Sequence, residues 1–405
     1  MPTDWEQIRE VVNTHLDQQS PELLKINQSL HTNPELAYKE FFAHDTISNF
    51  LEKQGFTTAR KTYGLDTSFE ATIGTGGRLV IICAEYDALP DIGHACGHNL
   101  IATSSIAAFL GAAHAMKTLG IDGRLRILGT PAEEGGGGKA RLIKAGAFSP
   151  PEDIAAAIMA HPVPKHAIGG IAGLAALDLI ASHKFRVEFT GKSAHAAGEP
   201  WNGTNALDAA VGAYNNVSML RQQIRPEERV HGVFEVGGTV PNVIPDYTRM
   251  NWYVRAPTTA QGEKLQTRVH ACIDAAATAT GCSHNYIVAD TYKHVISNPT
   301  LCEQYVEDMA QVGEKVLAKI DQQLVASTDM GNVSHECPSF HGSFSIPAPD
   351  DAALHSRIFA AAAGKPEAHE AAMKSAKGMA MMAMRLIVDE QFAAQVRKDF
   401  DRRND

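Results

Sequence analysis

The sequence contains no run approaching the roughly 18 to 20 uninterrupted apolar residues that a membrane-spanning helix needs, so no membrane partner is expected. It has no excess of positive charge. Lys and Arg number 36 against 46 Asp and Glu, for a formal net charge of −10. Phosphate binding needs clustered cations, so nucleic acid is not an expected partner. Cysteine is sparse: Cys83, Cys96, Cys272, Cys282, Cys302 and Cys337 are scattered along the chain. That is no disulfide framework, and it fits a reducing compartment. The opening Met1-Pro2-Thr3-Asp4-Trp5-Glu6 lacks the basic and apolar regions of a secretory signal and the Arg-rich character of a transit peptide. The cytoplasm is therefore the expected location. There is no internal repeat and no low-complexity linker. The glycine run Gly135–Gly138 lacks the Gly-Lys-Ser/Thr ending of a phosphate loop.

What is present belongs to a globular protein. Hydrophobic residues make up 44% and charged residues 20% of the 405. A chain of this length exceeds one ordinary core, so two domains are expected. Residues 5–54 show helical spacing at Ile8, Val11 and Val12, and later at Leu23, Leu24, Ile26 and Leu30. Short apolar runs at 78–84, 124–129 and 154–160 then predict buried strands. Helical segments at 100–116 and 138–146 separate them. Strands alternating with helices imply an α/β fold with a mainly parallel central sheet flanked by helices. After about Ser182 the pattern changes. An alternating strand at 183–190 precedes a helix from about 204 to 221. Strands near 230–236 and 247–255 and a helix from about 259 to 279 follow. This predicts an inserted α+β domain, a small antiparallel sheet with two helices, over 183–293. Residues 1–182 and 294–405 form the surrounding domain, helical again from about Asn298.

Three of the predicted strands end in residues able to bind a metal. The first runs into Glu85-Tyr86-Asp87-Ala88-Leu89-Pro90 and then His94-Ala95-Cys96-Gly97-His98-Asn99. The second runs into Pro131-Ala132-Glu133-Glu134-Gly135, and the third into His161-Pro162. Ligands of open α/β sheets bind beyond the carboxyl ends of the strands, so these segments converge. Cys96 and His98 precede an Ala-rich helix whose dipole favours a thiolate. Alone, the pair reads equally as a buried thiol beside a core histidine, or as a thiol with its base. Glu133 and Glu134, as neighbours on extended backbone, point different ways, one toward a metal and one toward its water. Two solvated glutamates at a helix start are the plainer alternative. His161 reads as a ligand or as a hydrogen-bonded core residue. His355 is unremarkable by itself.

Taken together, His94-Ala95-Cys96-Gly97-His98, Pro131-Ala132-Glu133-Glu134-Gly135 and the downstream His161 resemble the amidohydrolase branch of the dizinc aminoacylase and glutamate carboxypeptidase metallopeptidases. The run from Glu85 to Ile101 is most similar to the β-alanyl-lysine dipeptidase and aminobenzoyl-glutamate hydrolase group. The likeness spans nearly the whole chain. It implies two divalent metal ions, zinc or manganese, with Cys96 bridging them. His98 and His161 would complete one site, Glu134 and His355 the other. Glu133 would be the general base and Asp87 would orient a ligand. His355 rests on the resemblance alone.

The inserted segment resembles the family's lid or dimerisation domain, which implies a homodimer. By the same likeness His195, in Gly191-Lys192-Ser193-Ala194-His195, would stabilise the oxyanion, in cis or in trans. Asn242 would face the substrate, and Arg255 could grip a substrate carboxylate. Each has a rival reading: a surface turn histidine for His195, and a part in the inserted domain's own fold for Asn242 and Arg255. Ser327–Asn332 resembles a loop lining the site. Asn99 and Cys83-Ala84-Glu85 depart from the indole-acetyl-amino-acid hydrolases and favour the dipeptidase-like group. The expected reaction is hydrolysis of a small amide or dipeptide by a metal-activated water. A degenerate, non-catalytic amide binder and a thiol hydrolase using Cys96 are the two rival readings.

Overall fold

The computed structural model describes residues 3–321 and 324–402. The first helix, α1 (Trp5–Thr32), starts where the Asp4 carboxylate accepts from the Gln7 N–H. Its buried residues Ile8, Val12, Leu16, Leu23 and Leu30 lie on one face. Then come α2 (Phe41–Lys53), β1 (Thr58–Arg60), β2 (Phe69–Ile73) and β3 (Leu79–Ala84). Next are α3 (His98–Leu119), β4 (Arg124–Gly129), α4 (Gly138–Lys144), β5 (Ile154–Pro164) and the short β6 (Gly173–Leu174).

The chain continues through β7 (Ala181–Thr190), α5 (Ala206–Leu220), β8 (Arg229–Val236), β9 (Tyr247–Ala256), α6 (Thr259–Thr280) and β10 (Ser283–Val288). It then runs through α7 (Pro299–Ala310), β11 (Val316–Leu317), α8 (Met330–Glu336) and β12 (Ser339–Ile346). Helices α9 (Arg357–Ala363), α10 (Pro366–Val388) and α11 (Glu390–Arg402) end it.

Two compact units result. One comprises residues up to Asp178, Val295–Leu324 and Asn332 onward. The other comprises Leu179–His294 and Val325–Gly331. Residues 325–331, which sequence order assigns to the second half of the outer domain, pack with the inserted segment. Ala326 O accepts from Ile180 N at 2.9 Å, and Ser327 Oγ accepts from Arg255 Nη1 at 2.9 Å.

The larger unit holds a six-stranded sheet in the order β1-β2-β4-β3-β5-β12. The four strands β4, β3, β5 and β12 run parallel, while β1 and β2 add an antiparallel edge. Helix α3 is the one helix among the described residues long and apolar enough to cross a membrane, and it is buried in this core. Its alanines and glycine let α1 and α10 approach closely. A Cβ at Gly111 would meet the Leu16 side chain at 3.1 Å. Asp308 on α7, 1% exposed, ties three helices by accepting from Arg9 of α1 at 3.0 Å and Arg385 of α10 at 3.2 Å.

The smaller unit is an antiparallel sheet, β10-β7-β9-β8, covered by α5 and α6. Phe185, Val187, Phe189, Trp252 and Val254 meet Ala209, Ala213, Leu265, Val269 and Ile273 in its core.

Two expectations need correction. The return segment is not simply helical: β12 is a fully buried strand beside β5. Its serines and histidine hide it from an apolar-run reading. The fold satisfies the serines locally: Ser343 Oγ accepts from Leu174 N at 2.9 Å, and Ser345 Oγ donates to Ile171 O at 2.8 Å. His161 does not follow β5 but sits inside it, paired with Ser343 of β12.

Replacing Asp308 by Ala leaves two arginines facing an uncompensated, buried position. The expected loss of about 3–5 kcal/mol should appear as a lower chemical or thermal unfolding midpoint. An unchanged midpoint would show that the three helices do not depend on this pairing.

Candidate metal centre

The parallel strands deliver their carboxyl ends to one place. Asp87 follows β3, the Glu133-Glu134 turn follows β4, and His161 lies near the end of β5. Cys96 and His98 stand at the start of α3, where Gly97 adopts φ 79 as the N-cap. A side chain at Gly97 would also meet Pro162 Cγ at 2.6 Å, so the turn is closed to other residues on two counts.

Glu133 and Glu134 lie not on extended backbone but in a turn, with Gly135 N bonding back to Glu133 O. Their carboxylates still converge, with Glu133 Oε2 at 3.9 Å and Glu134 Oε1 at 4.0 Å from His98 Nε2. Ala132, just before them, has φ 61, a left-handed conformation costly for alanine. The buried Glu40 holds it by accepting from Ala132 N at 2.9 Å. Glu40 also accepts from Tyr38 N at 2.9 Å and Thr67 Oγ1 at 2.8 Å. His355 has φ 63, and its N–H is fixed on Ala95 O at 2.9 Å.

The donors form overlapping groups whose ligand atoms lie within 4.8 Å of one another: Cys96, His98 and His161; Cys96, Glu134 and His355. Cys96 belongs to both groups. Its Sγ is 3.3 Å from His161 Nε2, and Glu134 Oε1 is 3.4 Å from His355 Nε2. The imidazoles are turned correctly for ligation. His98 Nδ1 donates to Asp87 Oδ1 at 3.0 Å, and His161 Nδ1 donates to Pro162 O at 2.8 Å. Each ring therefore aims Nε2 inward. Asp87 Oδ2 accepts from Glu134 N at 2.8 Å, so one carboxylate orients two donors.

His98 Nε2 and Glu134 Oε1 are buried with no hydrogen-bond partner. Buried polar atoms left this way are costly, and a cation between them removes the cost, so the donors fit a divalent metal pair. Burial, then Glu134's charge, push the Cys96 thiol well above its ordinary value. Burial also pushes His161 down to about 4, leaving a neutral ring. Burial alone would raise Glu134, but His355 and His98 bring it to about 2. A cation here would displace the thiol proton on binding.

Three buried groups in or beside this centre were given no role in the sequence reading, although Glu85 begins one of its metal-capable segments. Glu40 is one. Glu85 follows β3, fully buried, with Oε2 at 3.5 Å from His98 Nε2. Burial works to raise Glu85, but Lys139 and then His98 hold it below the ordinary carboxylate range. Glu85, His98 and Glu133 form a third group of ligand atoms within 4.8 Å. Lys139 of α4, also fully buried, is ion-paired with Glu85. A lysine just after a glycine run carries no sequence signal for burial.

His195, Asn242 and Arg255 lie in the other unit. His195 and Val243 form an isolated bridge, and Asn242 O accepts from Ala196 N at 3.0 Å, so the two candidate segments touch. His195 Nδ1 accepts from Gly198 N at 2.9 Å and Ala197 N at 3.2 Å, which leaves its proton on Nε2. Arg255, on β9, bonds Ser327 and lies over the Tyr253 ring at 5.7 Å.

Comparison with known proteins shows the family and the fold. Residues 81–363 match the model of peptidase family M20/M25/M40. The chain is 39% identical over 401 residues to the Xaa-Arg dipeptidase of Mus musculus, covering 95% of this chain and 90% of that protein. It is 28% identical over 332 residues to a p-aminobenzoyl-glutamate hydrolase chain of Escherichia coli, covering 76% and 67% of the two. The Bacillus subtilis YXEP protein, described as a dinuclear metal binding peptidase, shares the fold with a TM-score of 0.66 at 20% identity, over 92% of this chain and 99% of that one.

Burial, then the charge of Asp87, raise Glu40 from 4.5 to about 7. The folded protein therefore holds this proton more tightly than the unfolded chain, and Glu40 makes stability fall as pH rises from about 4.5 to about 7. Glu40→Gln should flatten that part of the profile of unfolding midpoint against pH. An unaltered slope would refute the assignment.

Proposed function

The chain belongs to peptidase family M20/M25/M40 and is a metal-dependent hydrolase of amide bonds in small acyl amino acids or dipeptides, in which we propose that Glu133 is the general base. The observation that supports the role is the placement of Glu133. Its carboxylate is buried against the ligand atom of His98, yet it belongs to neither group that shares Cys96. On this reading Cys96 would be shared by two ions, with His98 and His161 holding one and Glu134 and His355 the other. Thiolate with imidazole favours zinc, and the carboxylates also suit manganese. The ions would polarise the scissile carbonyl and lower the pKa of a water. Glu133 takes that water's proton during attack and delivers it to the leaving amine. His195, with its proton on Nε2, donates to the oxyanion. Arg255 and Asn242 hold the carboxylate end of the substrate.

The likeness to the Xaa-Arg dipeptidase favours dipeptides with a basic carboxyl-terminal residue as substrates. The six free cysteines, five of them buried, support a reducing location such as the cytoplasm. We also infer a homodimer through the smaller unit. Strand β8 is an open sheet edge that exposes Val233 and Phe234, and α5 exposes Val211, Tyr214 and Met219 beside it. A second copy would cover that edge and apolar surface.

Metal-reconstituted protein should be screened against Xaa-Arg and Xaa-Lys dipeptides, N-acyl amino acids and aminobenzoyl-glutamate. Glu133→Ala should retain its metals and lose about 10²–10⁴-fold in turnover. Retained turnover rules out Glu133 as the base. Cys96→Ala should lose metal by elemental analysis, and full occupancy would refute the bridging role. Chelators should inactivate reversibly; inactivation by alkylation alone would instead favour a Cys96 thiol hydrolase. For the dimer, light scattering should show two copies in the parent protein and one in a Val233→Lys, Phe234→Asp variant. A monomeric parent excludes this interface.

A further inference from the structure

Beneath the metal donors lies a second buried layer that the proposed mechanism does not use. Glu85 and Lys139 are both fully buried, and their ion pair joins the end of β3 to the first turn of α4. One Glu85 oxygen is occupied by the Lys139 ammonium. The other, Oε2, has no hydrogen-bond partner and lies 3.5 Å from His98 Nε2. Glu85 thus satisfies the distance requirement for a ligand, in a group with His98 and Glu133. That group competes with the Cys96-centred ones because it uses the same nitrogen of His98. It would also draw in Glu133, the residue needed as a base. His341 of β12 is also fully buried with neither ring nitrogen hydrogen-bonded, its ring perpendicular to that of His161 at 6.2 Å. With a metal bound, His98 would ligate as a neutral ring and would not balance the carboxylate. Lys139 is its counter-ion.

We propose that Lys139 is a positioning residue that withholds Glu85 from the metals, confining them to the two groups that share Cys96 and leaving Glu133 free of coordination. A buried carboxylate deprived of its ammonium must either take up a proton or find another cation. Here the nearest alternative is a metal at His98. The Lys139 charge therefore decides between a thiolate-centred site and a more oxygen-rich one. Oxygen ligands suit manganese better than zinc, so the same charge bears on metal preference. This inference rests on the Cys96-centred reading of the site.

The test is metal titration of the full-length chain with zinc and with manganese, followed by competition with a chelator, on parent protein and three variants. Lys139→Met should bind manganese about 10–100-fold more tightly relative to zinc. Its kcat should fall while KM changes little. Glu85→Gln together with Lys139→Met removes both charges at nearly constant volume, and should return the manganese-to-zinc ratio to that of the parent. Glu85→Gln alone should keep two metals per chain, because Glu85 is not a ligand in the parent. That variant decides the matter even where Lys139→Met does not fold. Loss of one metal equivalent from Glu85→Gln overturns the proposal. So does a folded Lys139→Met protein with the parent's metal ratio, or a double variant that matches the single one. Parent protein that takes up no metal would overturn the Cys96-centred reading as well, which separates the two failures.

Discussion

The site hangs on the two hydrogen bonds accepted by the buried Asp87 carboxylate. One comes from His98 Nδ1 and the other from the backbone N–H of Glu134. The first fixes a side chain on α3, and the second fixes the turn after β4. A residue at the end of β3 thereby sets the spacing between donors that share no covalent connection nearby. Asp87 presents its two oxygens to these two partners, which is why a carboxylate suits the position. An amide has only one acceptor oxygen for the same task. The orientation of His98, the place of Glu134 and the approach of Glu133 all follow from that anchoring.

The backbone bears part of the cost of assembling the centre. Ala132 and His355 take left-handed conformations with φ 61 and 63, each costing about 1–3 kcal/mol. Both are secured by a hydrogen bond that the backbone N–H donates, to the Glu40 carboxylate in one case and to the Ala95 carbonyl in the other. Glu40 also anchors the loop before α2 through Tyr38, so the helical amino-terminal segment takes part in shaping the glutamate turn. Around the donors the charges are layered. The innermost layer holds the thiol, the carboxylates and the imidazoles that favour a cation. Behind it Lys139 neutralises Glu85. Apart from the exposed His355, sheet and helices shield these groups from water, so each unpaired charge would be costly, and the pairing pattern is correspondingly specific.

The sequence by itself determined the chemistry and much of the frame. The parallel core strands β3, β4 and β5 are legible because they are buried on both faces and read as apolar runs. The donors at or near their carboxyl ends could be named because strand ends of such sheets converge whatever the loops do. His355 was accessible only through resemblance: no local pattern links a residue after β12 to one before α3. Strand β12 itself was hidden, since Ser339, His341, Ser343 and Ser345 carry polar side chains into a buried strand. Tertiary structure alone decided that Glu133 and Glu134 sit in a turn rather than on extended backbone. It also decided that residues 325–331 pack with the inserted unit and that Glu85, Lys139 and Glu40 are buried next to the donors. The physical reason is common to these cases. A sequence records which groups can be charged or can ligate, but burial and partnership depend on elements remote in the chain, and those two quantities fix what a charged group does.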